Sequence, residues 1–318
     1  MSSNPKEPLK ANEVQYFSEE EFLSQYSKIL SIASNLTSPS YKPQAYILGG
    51  QPGSGKTNLH RKILIMHSAN VFLINGDDFR KYHPNFSKIQ QIYGDLSPSF
   101  TQTFANKVTE KMICDLSQKK LNLIIEGTLR TSSIPIKTAQ LLKSRGYETK
   151  LYIMAVKSEI SYESTILRYE NALGEIPRAT AKEHHDLVVN SIMNNLDEIY
   201  QAKVFDDIQI FNRNGEFLYS SKTNSISPTI IENNILPGNW NQFEKKHLQD
   251  IIVKVRELKV KRIAPDLSEY VLRTNKLLEN ILFRVDDSWT ILQFKKIYCF
   301  LFVVFLFSMF AIVSNLKL

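Results

Sequence analysis

The chain has 318 residues, 43% of them hydrophobic and 22% charged, with a formal net charge of +7. Those proportions describe a folded chain with a sizeable core and exclude general disorder, while two cysteines exclude a disulfide framework and suit a reducing compartment. The basic excess is not gathered into a tract interleaved with aromatics, so no nucleic-acid partner is expected, and the charge reads as attraction for anionic ligands or lipid.

The polar opening, 1–10, carries no secretory signal, which predicts a cytoplasmic protein. The first clear element is an apolar strand at 45–49 that runs into "GGQPGSGKT" and then a helical pattern. Two glycines, Gly50 and Gly55, followed by Lys56 and Thr57 match the phosphate-loop spacing, in the strand-to-helix context that this motif requires. The loop residues Gly50, Gln51, Pro52, Gly53, Ser54, Gly55, Lys56 and Thr57 are therefore candidates to cradle a nucleotide. Small residues let backbone N–H groups turn toward phosphate oxygens, Lys56 adds charge, and the Thr57 hydroxyl is a candidate Mg²⁺ ligand.

After the loop, strands and helices alternate. Strands are expected at 70–75, 121–127 and 149–156. Helices are expected at 97–118, 134–145, 158–173 and 180–200. Two strands around an Asn-Gly turn then close the run at 207–221. Strands that are apolar throughout predict a mostly parallel sheet covered by helices on both faces, with the site beyond the carboxyl ends of the strands. Three polar clusters then share one rim: the loop, "GDD" at 76–78, and "EGTLR" at 126–130.

Phosphoryl transfer needs a phosphate cradle, a metal, a group that takes the acceptor's proton, and cations for the developing charge. Asp77 is the candidate base, and Asp78 beside it suits a helix N-cap. Glu126 is the acidic residue at the next strand end, and Thr128 and Arg130 are placed to grip an anionic or sugar substrate. Arg168 and Arg178 follow the last apolar strand. No guanine-reading Asn-Lys-x-Asp motif is present, so a kinase is expected rather than a GTPase switch.

Beyond 228 the pattern changes to two helical stripes separated by Pro265, and 297–316 holds no charged residue over a length that would span a bilayer. This predicts a kinase domain over 1–228 with an N-terminal helix, a helical extension over 229–290 and a hydrophobic segment over 291–318. The hydrophobic segment reads as an anchor to the inner face of the membrane, behind Lys295 and Lys296.

Taken together, "GGQPGSGKT", "HPNF", "NLIIEGTLR", "GYETKLYIMAV", "SYESTILRYE", "HDLVVN" and "FNRNGEFLYSS" resemble the zeta-toxin family over roughly 17–228. The resemblance implies a P-loop kinase fold and transfer of a phosphoryl group from ATP or GTP, with Mg²⁺, to the 3′-hydroxyl of UDP-N-acetylglucosamine. It also implies a toxic action through blocked cell-wall synthesis and a small helical antitoxin as partner. Carried onto this chain, it implies Asp77 as base, Lys56 on the nucleotide phosphates and Thr57 on the metal. Glu126 is the acidic group at the site, Arg168 and Arg178 are the charge-stabilising pair, and Glu110, Thr128 and Arg130 contact the sugar nucleotide. The chain departs from the family pattern in having Asp78 where a Ser or Thr is expected, in a short stretch before Arg178, and in the hydrophobic segment. Two other readings share the loop: a kinase of another small hydroxyl substrate such as an antibiotic, and a membrane-tethered nucleotide-binding module without turnover.

Overall fold

The computed structural model describes residues 14–173 and 179–282. Arg178 and the apolar segment 297–316 lie outside them. Among the described residues no helix is long and apolar enough to cross a membrane. The chain divides into two compact units, 1–239 and 240–318.

The first unit is built on one sheet. Its strands are β1 Gln44–Gly49, β2 Phe72–Ile74, β3 Leu123–Glu126, β4 Glu148–Met154, β5 Asp207–Phe211 and β6 Phe217–Ser220, in the spatial order β2-β3-β1-β4-β5-β6. All neighbours run parallel except β5 and β6, which form an antiparallel hairpin. Parallel strands need crossovers, and helices supply them: α2 Thr57–Met66, α3 Gly76–Phe79, α4 Phe86–Tyr93, α5 Ser97–Gln118, α6 Ser133–Ser144, α7 Ser158–Asn171 and α8 Lys182–Gln201, with α1 Glu19–Leu36 preceding the sheet. Helix coverage explains why Ala45, Leu48, Leu123, Ile124, Leu151 and Ile153 are fully buried, with no in/out alternation along their strands.

Local chemistry sets the ends of these elements. Ser18 and Glu21 form a capping box that starts α1, and Pro98 occupies the first turn of α5, where its missing N–H costs nothing. Helix α1 is fastened by an aromatic cluster in which Phe17, Phe22, Tyr26, Phe104 and His83 meet mostly edge to face. Fully burying a side chain such as Phe22 contributes about 1.5–3 kcal/mol.

The first unit continues past the change of pattern at Ser227-Pro228. Helix α9, Pro228–Ile235, packs on α8, β5 and β6, and the buried Lys157 ammonium closes its far end by donating to the carbonyls of Ile235 and Gly238 at 2.6 and 2.5 Å.

The second unit, where described, is a helical hairpin of α10 Gln242–Lys261 and α11 Leu267–Leu282. Its buried stripes are Leu248, Ile251, Ile252 and Val255 on one helix and Tyr270, Thr274, Leu278 and Ile281 on the other. Arg256 crosses to Thr274 Oγ1 and Asn275 Oδ1 at 2.5 and 2.8 Å.

Candidate active site

Register fixes where the strands end. Leu48 pairs with Glu126, Ile74 with Ile125, and Gly49 with Ile153, so the loop after β1 and the turns after β2, β3 and β4 emerge at one level. This rim gathers the three polar clusters.

The loop 50–56 turns tightly against α7. Gly53 has φ +77°, and a Cβ built there would lie 2.0 Å from the Ser161 carbonyl oxygen, so backbone presses on backbone and only glycine fits. Gln51 is fully buried, and its amide donates to the Val156 carbonyl at 2.6 Å. Its Oε1, and the buried Ser54 Oγ in the same loop, have no hydrogen-bond partner. Lys56 is buried and donates to the carbonyls of Gly50 and Gln51 at 2.8 and 3.3 Å. Helix α2 begins at the exposed Thr57, and no side chain caps its first turn. The unpaired Ser54 hydroxyl, a helix N-terminus and an ammonium converging on one turn form the kind of donor set a polyphosphate requires. Among the described residues no cluster of three or more His, Cys, Asp or Glu has the geometry to hold a metal. A Mg²⁺ carried by phosphates and water with the Thr57 hydroxyl fits this arrangement better than a protein cage does.

The electrostatics link the loop to the other strand ends. Burial pushes the Lys56 pKa down; the Glu126 and Asp77 carboxylates oppose that, and the Arg168 and Arg213 guanidiniums add to it. Burial alone would raise the Glu126 carboxyl, but the adjacent His60 imidazole and the Lys56 charge outweigh it and hold its pKa below the usual range. His60 Nε2 stands 3.0 Å from Glu126 Oε2.

After β2, the N-cap of α3 is Asn75, whose side chain accepts from the Asp77 N–H at 3.1 Å. The cap expected of Asp78 therefore falls three residues earlier, because a cap must precede the first helical residue and the helix already starts at Gly76. Asp77 is partly exposed, and its Oδ1 accepts from Arg80 Nε at 2.8 Å. The other arms of Arg80 reach the Pro98 carbonyl, Thr101 Oγ1 and Gln102 Oε1 on α5, so the guanidinium fixes the carboxylate against that helix.

After β3 the chain turns through Leu129, a buried non-glycine residue at φ +58°. Its side chain fills the space beside Gly49, and its carbonyl accepts from Asn195 of α8 at 2.8 Å. This left-handed residue is costly for a branched side chain and separates half-buried Thr128 from exposed Arg130. Glu110 is exposed on α5, one residue beyond Thr109, whose hydroxyl faces Gly76.

Glu126, Asp77 and Arg168 thus all lie within electrostatic reach of Lys56. Thr128 and Arg130 follow Glu126 directly after β3, while Glu110 is carried on α5. Arg168 lies on α7 and also donates to Thr180 Oγ1 at 3.2 Å. Sequence reasoning passed over His60, Arg80 and Arg213. The first two carry a signal: His60 is one helical turn beyond Lys56, and Arg80 lies three residues after Asp77.

A parallel sheet in this order, with a Gly-rich loop, Lys and Thr at the end of its central strand, defines a P-loop kinase-like protein. The Zeta toxin model matches residues 28–224, and the chain belongs to the Zeta toxin family. It is 41% identical over 240 residues to Toxin PezT of Streptococcus pneumoniae, covering 74% of this chain and 95% of that one. It is also 45% identical over 190 residues to Toxin zeta of Enterococcus hirae, covering 58% of this chain and 66% of that one. A solved structure from the PezAT chromosomal toxin–antitoxin system of Streptococcus pneumoniae superposes with a TM-score of 0.71 at 37% identity, covering 77% of this chain and 98% of that one. The native AvrRxo1-ORF1:-ORF2 complex shares the fold at 15% identity, with a TM-score of 0.54 over 82% of this chain and 91% of that one.

Proposed function

We propose that this chain is a kinase that moves the terminal phosphoryl group of ATP or GTP onto the 3′-hydroxyl of UDP-N-acetylglucosamine, and that it acts as a toxin restrained by an antitoxin. The observation that carries the reading is the gathering of Lys56, Glu126, Asp77 and Arg168 within electrostatic reach at the open end of β1. The family and the toxin relatives support the toxin role, and the PezAT neighbour supports an antitoxin partner.

In this reading the loop N–H groups and Lys56 hold the nucleotide phosphates, so the terminal group is fixed before reaction. The acceptor hydroxyl lies against Asp77, which takes its proton as the oxygen attacks phosphorus; the bond to the leaving diphosphate breaks, and the electron pair stays with the diphosphate. Arg80 keeps the Asp77 carboxylate from rotating away. Arg168, with Arg178 as the second cation, offsets charge on the transferring group. Glu110, Thr128 and Arg130 hold the sugar nucleotide. A Mg²⁺ ion, when bound with Thr57 as protein ligand, shields the phosphate charges.

Mass spectrometry of UDP-N-acetylglucosamine incubated with Mg²⁺, ATP and the protein tests the proposal, with Asp77→Ala alongside. The expected result is a singly phosphorylated sugar nucleotide that falls by about 10²–10⁴-fold in the variant while nucleotide binding persists. Retained ATP binding with no product from the parent would overturn the substrate and direct attention to other hydroxyl acceptors. Equal turnover by the variant would overturn the role of Asp77.

A further inference from the structure

Arg213 sits in the β5–β6 turn, far in sequence from the loop, and is built into the loop's wall. Its Nη1 donates to the Gly53 carbonyl and its Nη2 to Ser164 Oγ, 2.8 Å away on α7. Its own carbonyl accepts from Asn58 Nδ2 at 3.0 Å, in the first turn of α2. A Cβ on Gly55 would come within 3.2 Å of Nη1, so the guanidinium packs against the loop at this glycine.

Every one of these partners is neutral. Among the described residues no carboxylate pairs with Arg213, although it is partly buried and burial lowers its pKa. It also lies close enough to Lys56 for the two cations to disfavour each other. Desolvating a guanidinium beside a second cation is unfavourable unless an anion completes the group. Arg213 packs on the same loop that carries the unpaired Ser54 hydroxyl.

We infer that Arg213 is a further nucleotide-positioning residue, with two roles at the phosphate loop. It holds the Gly53 carbonyl outward, which leaves the neighbouring N–H groups turned in. It also supplies a fixed positive charge whose counter-anion is the nucleotide's own diphosphate. Through Ser164, one turn before Arg168 on α7, it sets that helix against the loop. This inference rests on the nucleotide reading given above.

Calorimetry with ADP and with pyrophosphate on the full chain, together with thermal unfolding without ligand, tests it. Arg213→Gln is expected to weaken both ligands by about 10–100-fold and Arg213→Lys by less, because a point charge without the fork keeps part of the attraction. The ligand-free unfolding temperature of Arg213→Gln is expected to stay near the parent's, since relief of the unpaired charge offsets the lost hydrogen bonds. A lowered ligand-free temperature with unchanged ADP affinity would make Arg213 a structural brace and overturn the inference. If Arg213→Gln does not fold, Arg213→Lys decides: affinity equal to the parent's overturns the inference, and a roughly tenfold loss sustains it. A parent that binds neither ADP nor pyrophosphate removes the nucleotide reading and this inference together, whereas a parent that binds both, alongside an equally competent Arg213→Gln, removes this inference alone.

Discussion

His60 Nε2 stands 3.0 Å from Glu126 Oε2, a contact that joins the opening turn of α2 to the end of β3 and couples the loop to the next strand. Its chemical effect is on Glu126, where the nearby imidazole helps hold the carboxyl ionised against the opposing pull of burial. Replacing His60 with Ala removes that support, so the Glu126 pKa rises. The acidic limb of the kcat/KM profile should then move toward neutral pH, with the loss of activity largest at acidic pH. A pH profile of phosphoryl transfer checks this; an unmoved limb would separate Glu126 from the rate.

Arg80 makes a different kind of contribution, because it reaches Asp77 with one arm and α5 with the others. Arg80→Ala should lower kcat by roughly 10–100-fold while leaving nucleotide affinity near the parent's, since a misplaced base costs rate rather than binding. Arg80→Lys should recover part of the loss. A fall in nucleotide affinity of the same size would show that Arg80 shapes the loop instead.

Gly53 and Gly94 form a matched pair for testing the loop. Both have positive φ, +77° and +47°, but a Cβ on Gly53 would strike the Ser161 backbone at 2.0 Å, whereas one on Gly94 meets nothing within 4 Å. Gly94→Ala should therefore cost only the backbone term at φ +47° and ψ −119°, about 1–3 kcal/mol. Gly53→Ala should cost about 3 kcal/mol or more and disturb nucleotide binding as α7 is pushed from the loop. Urea midpoints of the two variants provide the comparison.

Glu232 is fully buried on α9, neither of its carboxyl oxygens has a hydrogen-bond partner, and burial pushes its pKa up to about 8. The sign follows from linkage. The folded state keeps the proton over a range where the unfolded chain has lost it, so this group's share of stability is complete below 4.5 and is lost as pH rises to about 8. Glu232→Gln should flatten that decline and raise the unfolding temperature at alkaline pH by several degrees. Unfolding curves at acidic and alkaline pH measure it, and parallel pH dependence in parent and variant would refute the assignment.

Much of this architecture could be read from the chain. The helix at 97–118 and the strand ending at Glu126 follow from local pattern, because apolar runs without alternation suit only a sheet covered on both faces. The loop was legible because its glycines answer a backbone requirement that no other residue meets. Elements governed by tertiary context were less legible. The strand at 72–74 is shorter than its apolar run, and α9 belongs with the sheet although the composition changes just before it. In the site, Lys56, Asp77 and Glu126 announce themselves at strand ends, but the Arg213–Gly53 contact spans 160 residues and leaves no trace in spacing. The left-handed Leu129 is equally silent, since a leucine there gives no hint of the turn it makes.

The strand order has a consequence for how the protein is made. β1 leaves the ribosome early, yet its neighbours in the sheet, β3 and β4, come later, and the arginine that closes the loop's wall follows Gly53 by 160 residues. At about 5–20 residues per second, the interval between those two residues is on the order of 10–30 s. Throughout that interval the nascent chain carries the loop sequence without the full set of contacts that shape it. A half-made copy therefore lacks β5 and the Arg213 contact, and the loop's wall closes only once about two thirds of the chain has been made.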